Sequence, residues 1–473
     1  MRNRTIDVHC HFFNISFAFA EMLEIGWRWI HSDYPYTSDE RGLLKGVGII
    51  PPELKKVARY VASYFASVVR KPGEHYTYEQ GCCQQSQWHV AQPLITVPLM
   101  MDIFFLFDKG EMEQRRGVMP SLHGGAGKDA LNATTISEEN ADAFDAFAQI
   151  MKTAFIPVYK KRASTKEFAS AFSAKKMTDI GCDLDQVIAE FKVGHAKEGV
   201  RSVAQRSVKR SVQMTRGYSK HLEELQELQR DNPETVLPFL AVDPRRIGIE
   251  ELVREQVVDG AFKGVKLYPP LGYLPTHPNL YPIYRLCVKH NIPVTVHTSK
   301  GGLLSLCDTI KTRSQKRDGT VVPVTFDKKL GKTADLFFAN PAGWLEILEN
   351  SEFSGLHLNF AHFGGEEHIG NLANQKPGEP DHPENWTGQI IGLMERFRNV
   401  YADFAYCPNN GMLDNIMKIA KRYPVVQQRL MFGTDYNMVM KESVLVDDLK
   451  NYFDSYTGIF PEMLTVNPAA FLG

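Results

Sequence analysis

Eight short runs of apolar and β-branched residues, each bounded by turn-forming residues, recur along this chain of 473 residues. Runs of this length and composition are typical of buried β-strands. The predicted strands are Thr5–Phe12, Leu94–Asp102, Val236–Val242, Phe262–Tyr268, Ile292–His297, Leu356–His362, Val400–Phe404 and Arg429–Asp435.

Stretches with helical periodicity separate the later strands, so that strand and helix alternate along the chain. These predicted helices are Tyr281–His290, Ala342–Asn350, Gln389–Arg398 and Asn409–Arg422. Alternation of this kind indicates βα units, and eight such units predict an α/β fold, the (β/α)8 TIM barrel.

Two long insertions, residues 13–93 and 108–230, interrupt the predicted barrel after its first and second strands. The first has helical periodicity in Phe17–Ile30 and Glu53–Val69, followed by a polar, aromatic loop over Gly73–Gln92. Because each insertion follows the C-terminal end of a strand, both are expected to cover the C-terminal face of the barrel. The whole chain is interpreted as a single elaborated domain.

The composition excludes several classes of protein. Hydrophobic residues make up 43% of the chain and the net charge is −1, which gives no electrostatic reason to expect binding to nucleic acid or acidic membranes. No apolar stretch approaches the roughly 20 residues of a membrane span, so a cytoplasmic location is expected. The seven cysteines form no C-x-x-C pair and are expected to be reduced. Aromatic residues within Tyr76–Trp88, taken as exposed, favour a homodimer.

Two histidines lie one residue apart on the first predicted strand. Side chains alternate between the two faces of a strand, so His9 and His11 point the same way and Cys10 points to the opposite face. Two imidazoles on one face can bind one metal ion. Taken alone, however, such a pair is more often an ordinary pair of core or surface histidines.

Other polar residues lie at the ends of later predicted strands: Lys266, His297, His362 and Asp435. Each has an ordinary structural explanation, such as a hydrogen bond to a backbone carbonyl, a turn or a helix cap. The C-terminal ends of barrel strands meet at one face, where active sites lie. Six such residues at matching strand ends therefore predict a metal site.

Several segments together resemble the amidohydrolase superfamily, whose members hold one or two metal ions in a distorted (β/α)8 barrel. The resemblance is carried by residues 7–11, 264–269, 296–297, 361–365, 432–435 and 467–473. Too few residues flank the predicted barrel for the β-sandwich domain of many members. The chain is most similar to the amidohydrolase-related branch, which includes aminocarboxymuconate semialdehyde decarboxylase.

The resemblance implies a divalent metal, with Zn²⁺ expected, bound by His9, His11, His297 and Asp435. Such an ion lowers the pKa of a bound water from about 15.7 towards 7 and so generates hydroxide at neutral pH. In the hydrolytic mechanism, Asp435 takes the proton of this water and passes it to the leaving group. His362 either binds a second metal ion or hydrogen-bonds the oxygen on which charge develops.

Lys266 has two interpretations, because strand alternation turns it towards the barrel interior, where a lysine needs compensation. The resemblance to binuclear members implies that it carries CO₂ as a carbamate that bridges two metal ions. Alternatively, it is an unmodified lysine whose pKa is lowered near the cation or which pairs with a carboxylate, and one metal ion is then expected.

Four further residues are candidates at the rim of the site. Lys300, Tyr268 and Arg245 are tentative substrate-binding residues, since a cation there could hold a substrate carboxylate. Each is equally explained as a surface residue or a member of a structural ion pair. Asp403 either orients a ligand histidine or touches the substrate.

The sequence therefore favours a metal-dependent hydrolase that uses metal-activated water on a small-molecule ester, lactone or amide. The alternative is a metal-dependent non-oxidative decarboxylase of an unsaturated or aromatic carboxylic acid. A third interpretation is a binding protein with a structural metal ion. Loss of folding, rather than of turnover alone, after His297→Ala would support it. Fold membership alone does not choose among them.

Overall fold

The structure is a computed structural model that describes residues 4–12, 15–31, 60–61, 71–86, 92–107, 144–153, 156, 184–192, 214–330, 333–376, 383–407, 410–438, 449–455 and 460–473. The chain divides into two compact units. The first comprises residues 1–13, 70–112 and 222–473, and the second comprises residues 14–69 and 113–221. The second unit falls within the two predicted insertions, whose place over the C-terminal face stays a prediction.

Eight strands of the first unit are parallel, and each overlaps one of the eight predicted strands. They are β1 (Ile6–Cys10), β2 (Ile95–Pro98), β3 (Phe239–Val242), β4 (Gly264–Leu267), β5 (Val294–Ser299), β8 (Leu358–Gly364), β9 (Val400–Asp403) and β10 (Leu430–Met431). Every residue of these eight strands is buried except Ser299, the last residue of β5. This burial explains why the sequence of most of these strands is a continuous apolar run.

The parallel strands form two sheets, which isolated bridges and backbone hydrogen bonds connect. The order β10-β9-β8-β5-β4-β3 forms one sheet, β1 pairs with β2, and β2 reaches β3 through isolated bridges. Beside β10, the Phe432 carbonyl accepts a hydrogen bond from the Val8 amide at 3.1 Å, and the Asp435 amide donates to the His9 carbonyl at 2.7 Å. The predicted α/β fold with parallel strands is therefore confirmed.

Apolar packing fixes which face of β1 carries the histidines. Ile6 and Val8 belong to a buried core cluster that also contains Phe471 and Leu472. The last two residues come from the final helix, Val466–Leu472. Since alternate residues of a strand point to opposite faces, the side chains of His9 and His11 point away from this cluster.

The structure contains three of the four predicted βα helices with small shifts. Ala342–Asn350 is instead a 3₁₀ turn, Pro341–Trp344, followed by the short helix Leu345–Leu348. In the described part of the chain, α-helices span Ile15–His31, Pro72–Gln85, Arg216–Asp231, Ile249–Val253, Tyr281–His290, Ala334–Phe338, Leu345–Leu348, Glu366–Ala373, Trp386–Arg396, Asn410–Arg422, Pro424–Arg429, Leu449–Ser455, Pro461–Leu464 and Val466–Leu472. Residues 144–153 and 184–192 are also helical.

Two features differ from the sequence predictions. The antiparallel hairpin β6 (Thr309–Gln315) and β7 (Val321–Asp327) was not predicted. Most of the predicted loop Gly73–Gln92 is the helix Pro72–Gln85, whose buried face includes polar residues such as His75 and Glu79. An apolar periodicity could not reveal a helix that buries polar side chains.

Tyr76 and Tyr78, which were taken as exposed, are half-buried on the same helix, and the homodimer stays a prediction. The helix predicted over Phe17–Ile30 is present as Ile15–His31, whereas Glu53–Val69 lies almost entirely outside the described residues. None of the described helices is both long and apolar enough to cross a membrane. Six cysteines lie in the described part of the chain, and all six are buried. Their reduced state stays a prediction.

Candidate metal centre

The two histidines of β1 are each held through the ring nitrogen Nδ1. Nδ1 of His11 donates a hydrogen bond to the Leu99 carbonyl at 2.7 Å, and Nδ1 of His9 lies 3.2 and 3.3 Å from the carboxylate oxygens of Asp403. With the proton on Nδ1, each ring keeps a lone pair on Nε2. Nε2 of His9 is buried and has no hydrogen-bond partner among the described residues, so it is available as a metal ligand.

Asp435 reaches the same place from the segment after β10. Its Oδ1 lies 3.7 Å from Nε2 of His11 and is buried without a hydrogen-bond partner in the described part of the chain. Burial raises the pKa of Asp435 well above its usual value. A Cβ at Gly433 would lie 2.7 Å from Cβ of His9, so only glycine allows this segment to approach β1 so closely.

His297 and His362 extend the cluster. Nε2 of His362 lies 3.1 Å from Nδ1 of His297, and the rings of His362 and His9 are 4.7 Å apart. Nδ1 of His362 donates to the Ala405 carbonyl at 3.2 Å, so its Nε2 carries the lone pair. Because Nδ1 of His297 faces this lone pair, it carries the proton of His297, and Nε2 accepts a hydrogen bond from the Ser299 hydroxyl at 3.2 Å.

Two of these residues have strained backbones. His362 has φ 67° and Asp435 has φ 45°, both in the left-handed region that favours glycine. Such conformations cost on the order of 1 kcal/mol or more each, and they are typical of functional sites whose surroundings impose them.

The Asp403 carboxylate hydrogen-bonds several parts of the site. Besides its contact with His9, this fully buried carboxylate accepts hydrogen bonds from the backbone amides of His362 and Ala405, and from Nδ2 of Asn359 at 2.7 Å. Asp403 was predicted either to orient a ligand histidine or to touch the substrate. Its contacts match the first of these roles. Sequence reasoning missed Asn359, although a polar residue within an apolar strand was a usable signal.

Three groups of described side chains meet the geometric requirement for holding a metal ion. One is formed by Asp7, Cys10 and Glu79, and the other two, which we call the metal groups, both contain His9. One metal group comprises His9, His11 and Asp435, and the other His9, His362 and Asp403, with donor atoms within 4.8 Å of one another in each group. Burial is the main cause that lowers the pKa of all four histidines, to about 4 for His362. Neutral imidazoles and a carboxylate form a donor set that suits a divalent ion such as Zn²⁺.

Lys266 on β4 is buried at the same site. Its Nζ has no hydrogen-bond partner among the residues that the structure describes. Burial lowers its pKa to about 8, while the charges of Asp403 and Asp435 act in the opposite direction. This lysine is therefore a buried cation beside two carboxylates at neutral pH.

The shifted pKa of Lys266 predicts a pH-dependent stability for the metal-free protein. Below pH 8, the folded protein carries a buried ammonium, whereas the unfolded chain holds the same proton with the ordinary pKa of 10.5. This destabilising contribution disappears as the pH rises from 8 towards 10.5, because the unfolded chain then binds more protons.

Lys266→Met should therefore raise the melting temperature of chelator-treated protein most at pH 7. We expect this gain to shrink steadily between pH 8 and 10.5, as measured by calorimetry on both proteins. A gain of constant size across that range would contradict the buried-cation interpretation.

Two of the three predicted substrate-binding residues are held in ion pairs. Nζ of Lys300 lies 2.9 Å from both carboxylate oxygens of Glu367. Arg245 makes two hydrogen bonds to the Asp243 carboxylate, at 2.8 and 2.6 Å, and stacks over Phe105 at 4.6 Å. These contacts match the structural ion pairs named as an alternative, and a role in substrate binding stays a prediction.

The third predicted residue, Tyr268, lies against the histidine cluster. Its ring stacks on His297 with 4.3 Å between the ring centroids. Its hydroxyl accepts a hydrogen bond from the Leu303 amide at 3.0 Å. A Cβ at Gly302 would lie 2.6 Å from this hydroxyl, so the glycine is needed for the loop to pass over the tyrosine.

Comparison with known proteins gave one family and several distant structures. The family model described as Amidohydrolase matches residues 195–454, a region that contains Lys266, His297, His362 and Asp435. No curated protein matched significantly. A search of solved structures found an uncharacterised TIM-barrel protein from Bordetella bronchiseptica, 19% identical with a TM-score of 0.34, covering 53% of this chain and 71% of that chain.

Two enzymes were also found among the solved structures. 2,6-Dihydroxybenzoate decarboxylase from Rhizobium is 16% identical with a TM-score of 0.32, covering 54% of this chain and 78% of that chain. 4-Oxalomesaconate hydratase from Rhodopseudomonas palustris is 13% identical with a TM-score of 0.33, covering 54% and 72%.

The family match extends over more than half of the chain and confirms the predicted resemblance to the amidohydrolase-related branch. His9 and His11 lie outside the matched region, and the structure brings them against Asp435 from within it. This protein is an enzyme of the amidohydrolase superfamily and belongs to the amidohydrolase family.

Proposed function

We propose that this enzyme is a metal-dependent non-oxidative decarboxylase of a small unsaturated or aromatic carboxylic acid. In this proposal a divalent ion, Zn²⁺ in the first instance, is bound by His9, His11, His297 and Asp435. The eight parallel strands form a closed (β/α)8 barrel, and the site lies at the C-terminal ends of its strands.

The observation that carries the proposal is the buried Nζ of Lys266, which lacks a hydrogen-bond partner among the described residues. With a divalent ion present, the carboxylates of Asp403 and Asp435 do not balance the positive charge of the ion and the lysine together. One positive charge remains uncompensated in a buried site, where an unpaired charge is costly. A substrate carboxylate would supply the missing negative charge.

The surrounding side chains suit such a substrate. The face of Tyr268, stacked on His297, continues the ring surface against which an unsaturated acid can lie. His362 keeps its Nδ1 proton on the Ala405 carbonyl and presents Nε2 to the cluster. A bound carboxylate near Nε2 raises its affinity for a proton.

In the proposed reaction, the bond between the substrate carbon and its carboxylate breaks, and CO₂ leaves. The electron pair stays on the carbon, which takes a proton that Nε2 of His362 has gained from water beside the bound carboxylate, and the imidazole returns to its neutral form. A divalent ion supplies Lewis-acid stabilisation of the negative charge that develops on substrate oxygens. Lys266 holds the carboxylate before it leaves, and Asp403 keeps His9 oriented throughout.

A second candidate is hydrolysis of a small ester, lactone or amide, and the lowered pKa of Lys266 favours it. A lysine with a pKa of about 8 is partly neutral near pH 7.5, and a neutral amine takes up CO₂ to form a carbamate. That carbamate and His362 would provide donors for a second metal ion, as in binuclear members of the superfamily.

The experiment offers the full-length protein, loaded with Zn²⁺ or Mn²⁺, two substrate panels. One contains hydroxybenzoates and unsaturated dicarboxylates and is assayed for CO₂ release. The other contains small esters, lactones and amides and is assayed for proton release. We expect CO₂ release that disappears with a chelator and returns with metal. Proton release from the second panel without CO₂ from the first would replace this proposal with hydrolysis.

A further inference from the structure

The segment that carries Asp435 is held on both sides of this residue. Its backbone amide donates to the His9 carbonyl at 2.7 Å, yet φ is 45°, which an aspartate does not adopt without support. Support comes from its neighbours: Thr434 hydrogen-bonds Asp7, and Tyr436 hydrogen-bonds His75. The carboxylate of Asp435 can therefore move only if these neighbours release it.

One neighbour is held by the helix Pro72–Gln85, which we call the brace helix. Nδ1 of His75 on this helix lies 2.5 Å from the Tyr436 hydroxyl, and both side chains are buried. The ring of His75 is also stacked parallel to that of Phe12, with 5.8 Å between centroids. His75 is thus fixed by one aromatic ring and in turn fixes another beside Asp435.

The next turn of the brace helix reaches the other neighbour. Glu79, four residues after His75 and on the same helix face, is fully buried against Asp7 and Thr434. Asp7 accepts hydrogen bonds from the Thr434 hydroxyl at 2.5 Å, and from the Thr434 and His9 amides at 3.0 Å each. Asp7 therefore links the segments of two predicted metal ligands, and Glu79 packs behind it.

Burial and the adjacent Asp7 carboxylate raise the pKa of Glu79 well above its usual value. Polar side chains of the brace helix therefore contact the residues on both sides of Asp435. These contacts explain why the helix buries polar side chains, which the sequence pattern assigned to a loop.

We propose that His75 and Glu79 are positioning residues of the metal site, through which the brace helix holds the Asp435 carboxylate in its binding position. This inference rests on the proposed function, since it takes Asp435 as a metal ligand. The brace helix lies outside the residues that match the amidohydrolase family model. Its role is therefore a property of this chain that the family match does not supply.

The test uses Tyr436→Phe, His75→Phe and the double variant in the full-length protein. Each single change removes the hydrogen bond but keeps an aromatic ring in place. We expect each to weaken Co²⁺ binding about tenfold, as loss of a group that orients a ligand typically does. The double variant should be no weaker than the worse single variant, because both changes remove one interaction.

The visible absorption of bound Co²⁺ provides a second readout, because it reports the geometry of the ligands. We expect its band positions or intensities to change in the Tyr436 and His75 variants. Tyr284→Phe is the matched control, since the buried Tyr284 hydroxyl donates at 2.9 Å to the Pro275 carbonyl and touches no residue of the site. It should lower the melting temperature and leave the affinity and spectrum unchanged.

Unchanged Co²⁺ affinity and an unchanged spectrum in folded Tyr436→Phe and His75→Phe would overturn the proposed positioning role of the brace helix. Asp435→Asn, measured alongside, separates this outcome from failure of the proposed function. If Asp435→Asn loses Co²⁺ binding while the two aromatic variants keep it, only the positioning role of the brace helix is wrong. If Asp435→Asn also binds Co²⁺ normally, Asp435 is not a ligand and both proposals fall.

Discussion

Asp435→Asn is expected to weaken binding of Zn²⁺ by more than about 100-fold, beyond the 10- to 100-fold range typical for loss of an outer-shell partner. Asp435 is the only carboxylate in the proposed ligand set, and its Oδ1 has no other partner among the described residues. Asparagine has the same shape but cannot supply the negative charge. The affinity is measured by competition with a chromophoric chelator, and turnover should be lost in parallel.

The same substitution should not destabilise the metal-free protein. Burial raises the pKa of Asp435 well above its usual value, so an ionised Asp435 at neutral pH makes folding less favourable than a neutral group would. We therefore expect chelator-treated Asp435→Asn to melt at or above the temperature of the parent protein.

Asp102→Asn is the matched control for this experiment. Asp102 is a buried carboxylate that accepts hydrogen bonds from Arg246 at 2.9 and 2.8 Å, and it belongs to neither metal group. It should lower the melting temperature and leave Zn²⁺ affinity unchanged. Affinity within about threefold of the parent in Asp435→Asn would contradict the assignment of Asp435 as a metal ligand.

Lys266→Met is expected to have the second large effect, on catalysis. In the proposed function, Lys266 pairs with the substrate carboxylate. Removing one partner of a buried charge pair costs about 2–5 kcal/mol of binding free energy. We expect kcat/KM to fall on the order of 100- to 1,000-fold, with much of the loss in KM. The metal affinity should stay the same or rise, because a neighbouring positive charge has been removed.

Metal stoichiometry in this variant also decides between the two states of Lys266. A carbamate would hold a second ion, so Lys266→Met would then reduce the number of ions per chain from two to one. Lys263→Met is the control, since Lys263 is a half-buried lysine on the same stretch, outside the metal groups. Full activity in Lys266→Met would exclude both roles.

The sequence predicted the strands and grouped side chains that the structure brings together, because both depend on local patterns. The roles of these side chains as metal ligands stay predictions. All eight strands were recognisable because they are buried throughout. His9 and His11, Lys266, His297, His362 and Asp435 could be grouped because each lies at a strand end. The rim residues were harder to assign, since the Asp243 and Glu367 partners of Arg245 and Lys300 follow from loop geometry.

Other features had no local signal. Strand β6 of the hairpin buries the polar residues Thr312 and Ser314 on the same face as Ile310, so its apolar alternation was weak. The brace helix buries His75 and Glu79 in place of apolar residues, and two of their partners, Tyr436 and Thr434, lie more than 350 residues away along the chain. The Leu99 carbonyl that orients His11 is a backbone atom and leaves no mark in the sequence.

The pairing of β1 with the segment after β10 has a consequence for folding. His9 lies on the first parallel strand and Asp435 lies in the segment after the last one, so their contact closes a very long loop, which is entropically costly and slow. During synthesis on the ribosome, a chain that lacks β10 has no complete set of donors. An ion held across this junction would act as a clasp, adding about 2.7 kcal/mol of stability at a free concentration 100 times its Kd. Metal supply would then govern how much of the enzyme persists in its folded form, as well as how much of it is active.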